Sequence, residues 1–275
     1  MSFSDHATRP AEWSARRMTG RLAASLIFMT LLALPAILIA AGGVIEGDPD
    51  MTKYGILISC ALLTLIVSGV ITHTSRNRPG AIRTRVWNGA PATVVEYSTA
   101  VFCLVGVLMT TGAALFLMAA GDVFLRGGGG ATVLVGVVFT GIGLLGASFV
   151  PFIAIGRLRR GRLVLTPELV HQRGWSLEST LDWDSIVAAR PAVLTNWVIM
   201  MLGHPAARWE RKTTVPRGLG WDALPSTPMI EVYCHKHAVD PVLLYRLLQF
   251  YVEHPQYRGE LGTDVALERA RSNRY

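Results

Sequence analysis

The sequence predicts an α+β membrane protein: a four-helix transmembrane bundle followed by a cytoplasmic β-barrel or sandwich with a C-terminal amphipathic helix. Three observations predict it. Residues 22–45, 54–72, 97–121 and 127–156 contain no Asp, Glu, Lys or Arg, and each is about as long as the ~20 apolar residues that cross a hydrocarbon core. The basic residues cluster between alternate runs. Beyond Arg157 the apolar period falls to two, and it becomes helical only after Asp240.

The spans are placed at about 22–42, 54–73, 99–121 and 132–156. A charged residue at a span centre costs roughly 2.5–3.5 kcal/mol, so charge-free windows of this length mark membrane segments. The first run is longer than a signal-peptide core of roughly 7–15 residues and is read as a retained helix, with Pro35 expected to kink it. Ala36 and Ala40, Gly106, Thr110 and Ala114, and Gly143 and Ala147 stand at the spacing that lets helix backbones approach.

Orientation follows from the arginines. Arg9, Arg16, Arg17 and Arg21 precede the first span, Arg76, Arg78, Arg83 and Arg85 follow the second, and Arg157, Arg159, Arg160 and Arg162 follow the fourth. The other two loops hold Glu46, Asp48, Asp50 and Lys53, and Asp122 and Arg126. The positive-inside rule then puts the 1–21 segment, the 74–97 loop and both termini in the cytoplasm of a multi-pass plasma-membrane protein. These clusters hold twelve of the 26 basic residues and account for much of the +7 net charge without a nucleic-acid partner. Cys60 and Cys103 lie in spans and Cys234 beyond them, so no disulfide framework is expected.

In the 74–97 loop, Asn88-Gly89 is a type I′ turn signal between β-prone runs, which predicts a hairpin bracing the cytoplasmic domain. That domain is placed at 157–255. Strands are expected around 162–166, 169–175, 180–191, 196–203, 207–214 and 228–235. Asp240 as N-cap and Pro241 at the first helical position then open a helix whose stripe is Leu243, Leu244, Leu247, Leu248 and Tyr251. His254-Pro255 stops it, and a tail over 256–275 carries a short helix at Thr263–Arg271.

Residues 161–186, "GRLVLTPELVHQRGW…LDWDSI", resemble the opening of bacterial pleckstrin-homology-like domains, which often follow transmembrane helices. The Leu-Thr-Pro-Glu turn and the Trp-Asp-Ser-Ile step carry the resemblance. Residues 240–269 are similar to the tail of uncharacterised actinobacterial membrane proteins of this type, and the usage of 23 Arg to 3 Lys fits a high-GC source. The resemblance implies a fold and an interaction role, not a reaction. Phosphoinositide-binding members of that family carry basic residues around the first strand–turn–strand, where this chain has Thr166-Pro167-Glu168, so specific phosphoinositide recognition is not expected.

No cofactor and no metal site is expected. Cys234, His235 and His237 are close in sequence, but on a strand Cys234 points away from both histidines. The "RGGGGAT" run at 126–132 follows a span and lacks a P-loop Lys-Ser/Thr, so it reads as a loop. Glu178, Asp182, Asp184 and Glu210 fit no catalytic motif, and no enzymatic activity is expected. The candidate membrane contacts are Arg157, Arg159, Arg160, Arg162, Arg208, Trp209, Arg211 and Lys212, with Arg217 and Trp221 nearby. The expected partners are the bilayer, anionic headgroups, and a membrane protein or a second copy of the chain. The expected function is a membrane-anchored binding or scaffold module. One alternative is a transporter or channel component, whose polar lining would have to come from Thr30, Ser59, Thr64, Ser68, Thr110, Thr111, Thr140 and Ser148. The other is a lipid-handling membrane enzyme using His73 at the inner interface.

Overall fold

A computed structural model describes residues 10–14, 19–74, 81–127, 129–216, 222 and 225–272. In chain order the helices are α1 (Ala11–Ser14), α2 (Thr19–Glu46), α3 (Pro49–Thr74), α4 (Thr99–Arg126), α5 (Gly130–Ala147), α6 (Phe149–Ala154), α7 (Pro241–Glu253) and α8 (Asp264–Ser272). The strands are β1 (Ile82–Trp87), β2 (Ala90–Glu96), β3 (Arg162–Leu165), β4 (Leu169–Arg173), β5 (Leu177–Asp182), β6 (Ile186–Val193), β7 (Trp197–Gly203), β8 (Trp209–Thr213) and β9 (Met229–Tyr233). The chain divides into two compact units. One holds residues 18–74 and 100–157; the other gathers 1–17, 75–99 and 158–275. The division is therefore not the single break at Arg157 expected from sequence.

In the helical unit, four segments are long and apolar enough to cross a membrane: Ala23–Glu46, Pro49–Thr72, Thr99–Arg126 and Gly130–Ala154. Small residues set the helix approach. A Cβ on Gly55 would lie 2.6 Å from the Ala40 nitrogen, and one on Gly43 would lie 2.6 Å from that of Thr52. On the other pair, Gly143 meets Leu117 and Gly146 meets Ala113. The α2–α3 turn uses Gly47 at φ 68°, while Asp48 Oδ1 caps α3 by accepting from the Asp50 and Met51 amides at 2.8 and 3.1 Å. Lys53 Nζ lies 2.7 Å from Asp122 Oδ2, to which the Tyr54 hydroxyl donates at 2.5 Å, and Arg126 pairs with Asp50. These side chains tie the start of α3 to the end of α4.

The second unit holds two antiparallel sheets. The larger runs β1-β2-β3-β4-β5-β8 and the smaller β6-β7-β9. They do not close into a barrel, which corrects the barrel expectation. The 74–97 hairpin is also more than a brace, since β2 pairs with β3 over Thr93–Glu96 and Arg162–Leu165 and the hairpin forms two of the six strands. Its turn has Asn88 at φ 49° and Gly89 at φ 83°, the two positive values a type I′ turn requires.

The chain changes sheets at Trp183–Ser185, a 3-10 turn that splits the strand expected over 180–191. Trp183 is buried there and donates its indole N–H to the Thr166 carbonyl at 2.7 Å. Leu163, Leu165, Val170 and Leu181 of the larger sheet and Ile199, Met201, Ile230 and Val232 of the smaller enclose one core. The amphipathic helix α7 lies on that core through Leu244, Leu247, Leu248 and Tyr251. Asp240 Oδ1 caps it, accepting from the Val242 and Leu243 amides at 2.9 and 3.2 Å. The short final helix forms as α8 and buries Ala266 and Ala270. The short helix α1 also joins this unit, for Trp13 is wholly buried and donates its N–H to the Ala192 carbonyl at 3.1 Å.

Candidate functional site

Strand alternation gives the larger sheet one apolar and one charged face. Leu163 and Leu165 point into the core, which turns Arg162 and Val164 outward. Register then places one row across the outer face: Glu96 on β2, Arg162 on β3, Arg173 on β4, Glu178 on β5 and Lys212 on β8. The next row toward the turn end holds Arg83, Val94, Val164, His171, Thr180 and Glu210. Trp87 leans over His171 with ring centres 5.0 Å apart and packs on Ala92, Val94 and Val164. His171 Nδ1 lies 2.9 Å from the Thr180 hydroxyl; burial pushes its pKa down, the Glu178 carboxylate opposing.

The ion pairs in this face are unevenly shared. Glu96 is taken by Arg160 and, at 3.4 Å, by Arg85. Arg160 also donates to the hydroxyl of Thr99, the first residue of the third span. Glu178 is taken by Arg173. Arg162, directly opposite Arg173, has no carboxylate partner among the described residues, and like charges facing across strands repel. The Nε–H groups of both Arg162 and Arg173 are buried and meet no acceptor. Burial, and then Arg83 and Arg85, hold Arg160 below its ordinary pKa. With Lys212 and Glu210 on β8 included, five arginines and one lysine face three glutamates here, an excess of three positive charges.

The sequence-predicted membrane contacts therefore separate into groups. Arg160 and Arg162 belong to the outer sheet face. Arg159 is exposed just before it. Arg157 lies in the helical unit, its amide donating to the Phe152 carbonyl at 2.9 Å. Arg208, Trp209, Arg211 and Lys212 lie on or beside β8. The Trp209 indole is half-buried and donates to Ser179 Oγ at 2.8 Å, so it serves the fold. Arg211 stacks over that indole at 4.6 Å and donates to the Pro225 carbonyl, while Arg208 approaches Glu210 at 3.5 Å. Lys212 closes the charged row. Arg217, Trp221 and the side chain of His73 lie outside the described residues.

Other polar groups have local work. Lys236 and Asp222, both more than nine-tenths buried, pair at 2.7 Å. Asp222 also accepts from the Ser176 amide at 2.7 Å, and Lys236 lies over the Trp175 and Tyr233 rings. Sequence reading missed this pair because its members belong to two distant segments. A signal was present in Gly174, where a Cβ would lie 2.5 Å from Asp222 Oδ2. Asp184 is 94% exposed yet engages the buried Arg258 at 2.6 Å, beside Trp183. Beside these groups, Gln172, Ser179, Glu231 and Tyr233 border a cleft of about 20 Å³, room for about one water.

Among the described residues, no three His, Cys, Asp or Glu side chains could hold a metal. The Cys234 thiol points at the Val232 carbonyl and is pushed up by burial. Burial holds His235 at a pKa of about 4 and His237 at about 3, the latter with its Nδ1 on the Tyr233 carbonyl. In the helical unit the hydroxyls of Thr30, Ser59, Thr64, Thr110, Thr140 and Ser148 donate back to their own helices. A groove of about 470 Å³ is lined by Ile37, Ile56, Leu63 and Leu104 together with Ser59, Cys60 and Thr64, so only two of the eight candidate lining hydroxyls meet there. No protein-family model, curated protein or solved structure matches the chain.

Proposed function

We propose that the protein is a membrane-anchored binding module with a pleckstrin-homology-like domain on the cytoplasmic side of the plasma membrane. One observation carries this reading: the sheet-containing unit gathers three stretches separated by pairs of membrane-length helices. Two crossings return the chain to the side it left. Residues before α2, between α3 and α4, and after α6 then share one side, and the arginines put that side in the cytoplasm. The family reading draws on residues 161–186, on the two antiparallel sheets and on α7. Recognition is favoured over catalysis because Glu178 and Asp184 are engaged with Arg173 and Arg258. An anchor is favoured over a transport path because six of the eight candidate lining hydroxyls donate to their own helices. The partners we infer are anionic headgroups and a membrane protein or second copy meeting the open strands β1 and β8.

Two measurements test it. A thiol at Glu168 should resist a membrane-impermeant maleimide in intact cells and react after lysis, whereas one at Leu125 should react in both. A photoreactive residue at Lys212 should give discrete protein adducts in intact cells. Labelling of Glu168→Cys from outside would refute the orientation, and diffuse adducts alone, at Lys212 and at Val86, would refute the binding role.

A further inference from the structure

We propose that the end of the outer sheet face around Arg162 and Arg173 is a phosphate-binding site, filled by the headgroup of an anionic phospholipid.

The first argument is the local imbalance of charge and donors. Glu96 and Glu178 are held by Arg85, Arg160 and Arg173. Arg162 is half-buried and makes no ion pair of its own among the described residues: its cross-strand neighbours are Glu96, held by Arg85 and Arg160, and Arg173, whose Nε–H is buried and unmet like its own. A partly desolvated guanidinium without a counter-charge is costly. Arg162 and Arg173 stand opposite each other across the strands, so an anion bound there would meet donors from both guanidinium forks. An ordinary surface arginine keeps its Nε–H in water; in these two that group is buried.

The second argument is position along the chain. Glu96 lies three residues before Thr99, where the third span begins, and Arg162 lies eight residues after Ala154, where the fourth ends. Arg160 links the two by touching both Glu96 and Thr99. Within so few residues of span ends, each cation that meets the headgroup layer gains about 1 kcal/mol from anionic lipid. The turn at Thr166-Pro167-Glu168 is at the opposite end of β3 and takes no part.

The lipid source rests on the cytoplasmic-leaflet reading above; the phosphate chemistry does not. Full-length protein in neutral maltoside micelles is titrated with dioctanoyl phosphatidylglycerol and, separately, with inorganic phosphate, with binding followed by native mass spectrometry. The double variant Arg162→Gln/Arg173→Gln should lose about tenfold or more in phosphatidylglycerol affinity, with Arg208→Gln binding as wild type. Arg162→Lys keeps the charge without the fork; it should fold as wild type and bind severalfold more weakly. Wild-type affinity in the double and lysine variants, or no binding of either probe to the wild type, overturns the proposal. Inorganic phosphate bound more tightly than the lipid, and lost in the double variant, keeps the site and assigns it a soluble phosphoryl group. Outside labelling of Glu168→Cys together with that loss would sink the leaflet assignment while leaving the site.

Discussion

The indole of Trp13 lies flat on that of Trp197, with ring centres 5.3 Å apart and planes 7° from parallel. Tyr245 of α7 meets Trp13 edge-on at 5.7 Å, and the Ala192 carbonyl receives its N–H. A four-residue helix ahead of the first span thereby fills the seam between β6, β7 and α7. Trp13→Ala should destabilise the sheet-containing unit by about 3–4 kcal/mol, the cost of emptying a buried tryptophan site. Loss of near-ultraviolet dichroism at a lower temperature in detergent would register it. A shift of less than one degree would show that the seam closes without the indole.

The Lys236–Asp222 pair should respond asymmetrically. Lys236→Ala strands a buried carboxylate and should cost about 3 kcal/mol or more, whereas Lys236→Met with Asp222→Asn should cost clearly less, because neither charge is then left alone. Chemical denaturation of the two variants side by side measures the difference. Equal losses would mean that the packing of Trp175 and Tyr233, and not charge, sets the cost.

Gly161 sits where β3 begins, and a Cβ there would lie 2.4 Å from the Tyr97 ring and 2.6 Å from the Arg173 carbonyl. Gly161→Ala should push β3 away from β4 at the arginine pair, lowering stability by about 1–3 kcal/mol. It should also weaken phosphatidylglycerol binding. Stability is read by thermal melting and binding by the titration above.

The buried histidines set an acid limit. His235 and His237 are neutral in the folded unit, with pKa values of about 4 and 3, against about 6.5 when unfolded. Below pH 6.5 the unfolded chain binds more protons than the folded one, so stability falls as pH drops toward the folded values. The slope should approach about 1.4 kcal/mol per pH unit for each histidine. His171, lowered by burial, adds in the same direction. Melting between pH 7 and 5, above the range of most carboxylates, should show this fall, and His235→Asn/His237→Asn should flatten it.

How much of this was legible in the sequence depends on range. The spans were, because apolar length and absent charge are local. So were the type I′ turn at Asn88-Gly89 and α7, whose cap, proline and stripe occupy one window. The pairing of β2 with β3 was not, since 65 residues separate the strands and neither run states its partner. Trp13 gave no periodic signal from a four-residue helix. Trp183 read as one more strand residue, although it turns the chain from one sheet to the other. At the candidate site, arginines near span ends were visible as charge. What sets Arg162 and Arg173 apart is their cross-strand register and the prior claims on Glu96 and Glu178, and these exist only once the sheet is assembled.

Interleaving the sheet-containing unit with the membrane-length helices has a consequence for biogenesis. The β1–β2 hairpin leaves the ribosome with its β3-facing edge bare and waits for α4, α5 and α6 before β3 emerges to cover it. A piece starting at residue 157 would lack both strands and Trp13, so the module cannot be cut from its helices intact. A nascent chain whose second helical pair fails to insert would show that naked edge to proteases, making bilayer integration the checkpoint for completing the sheet.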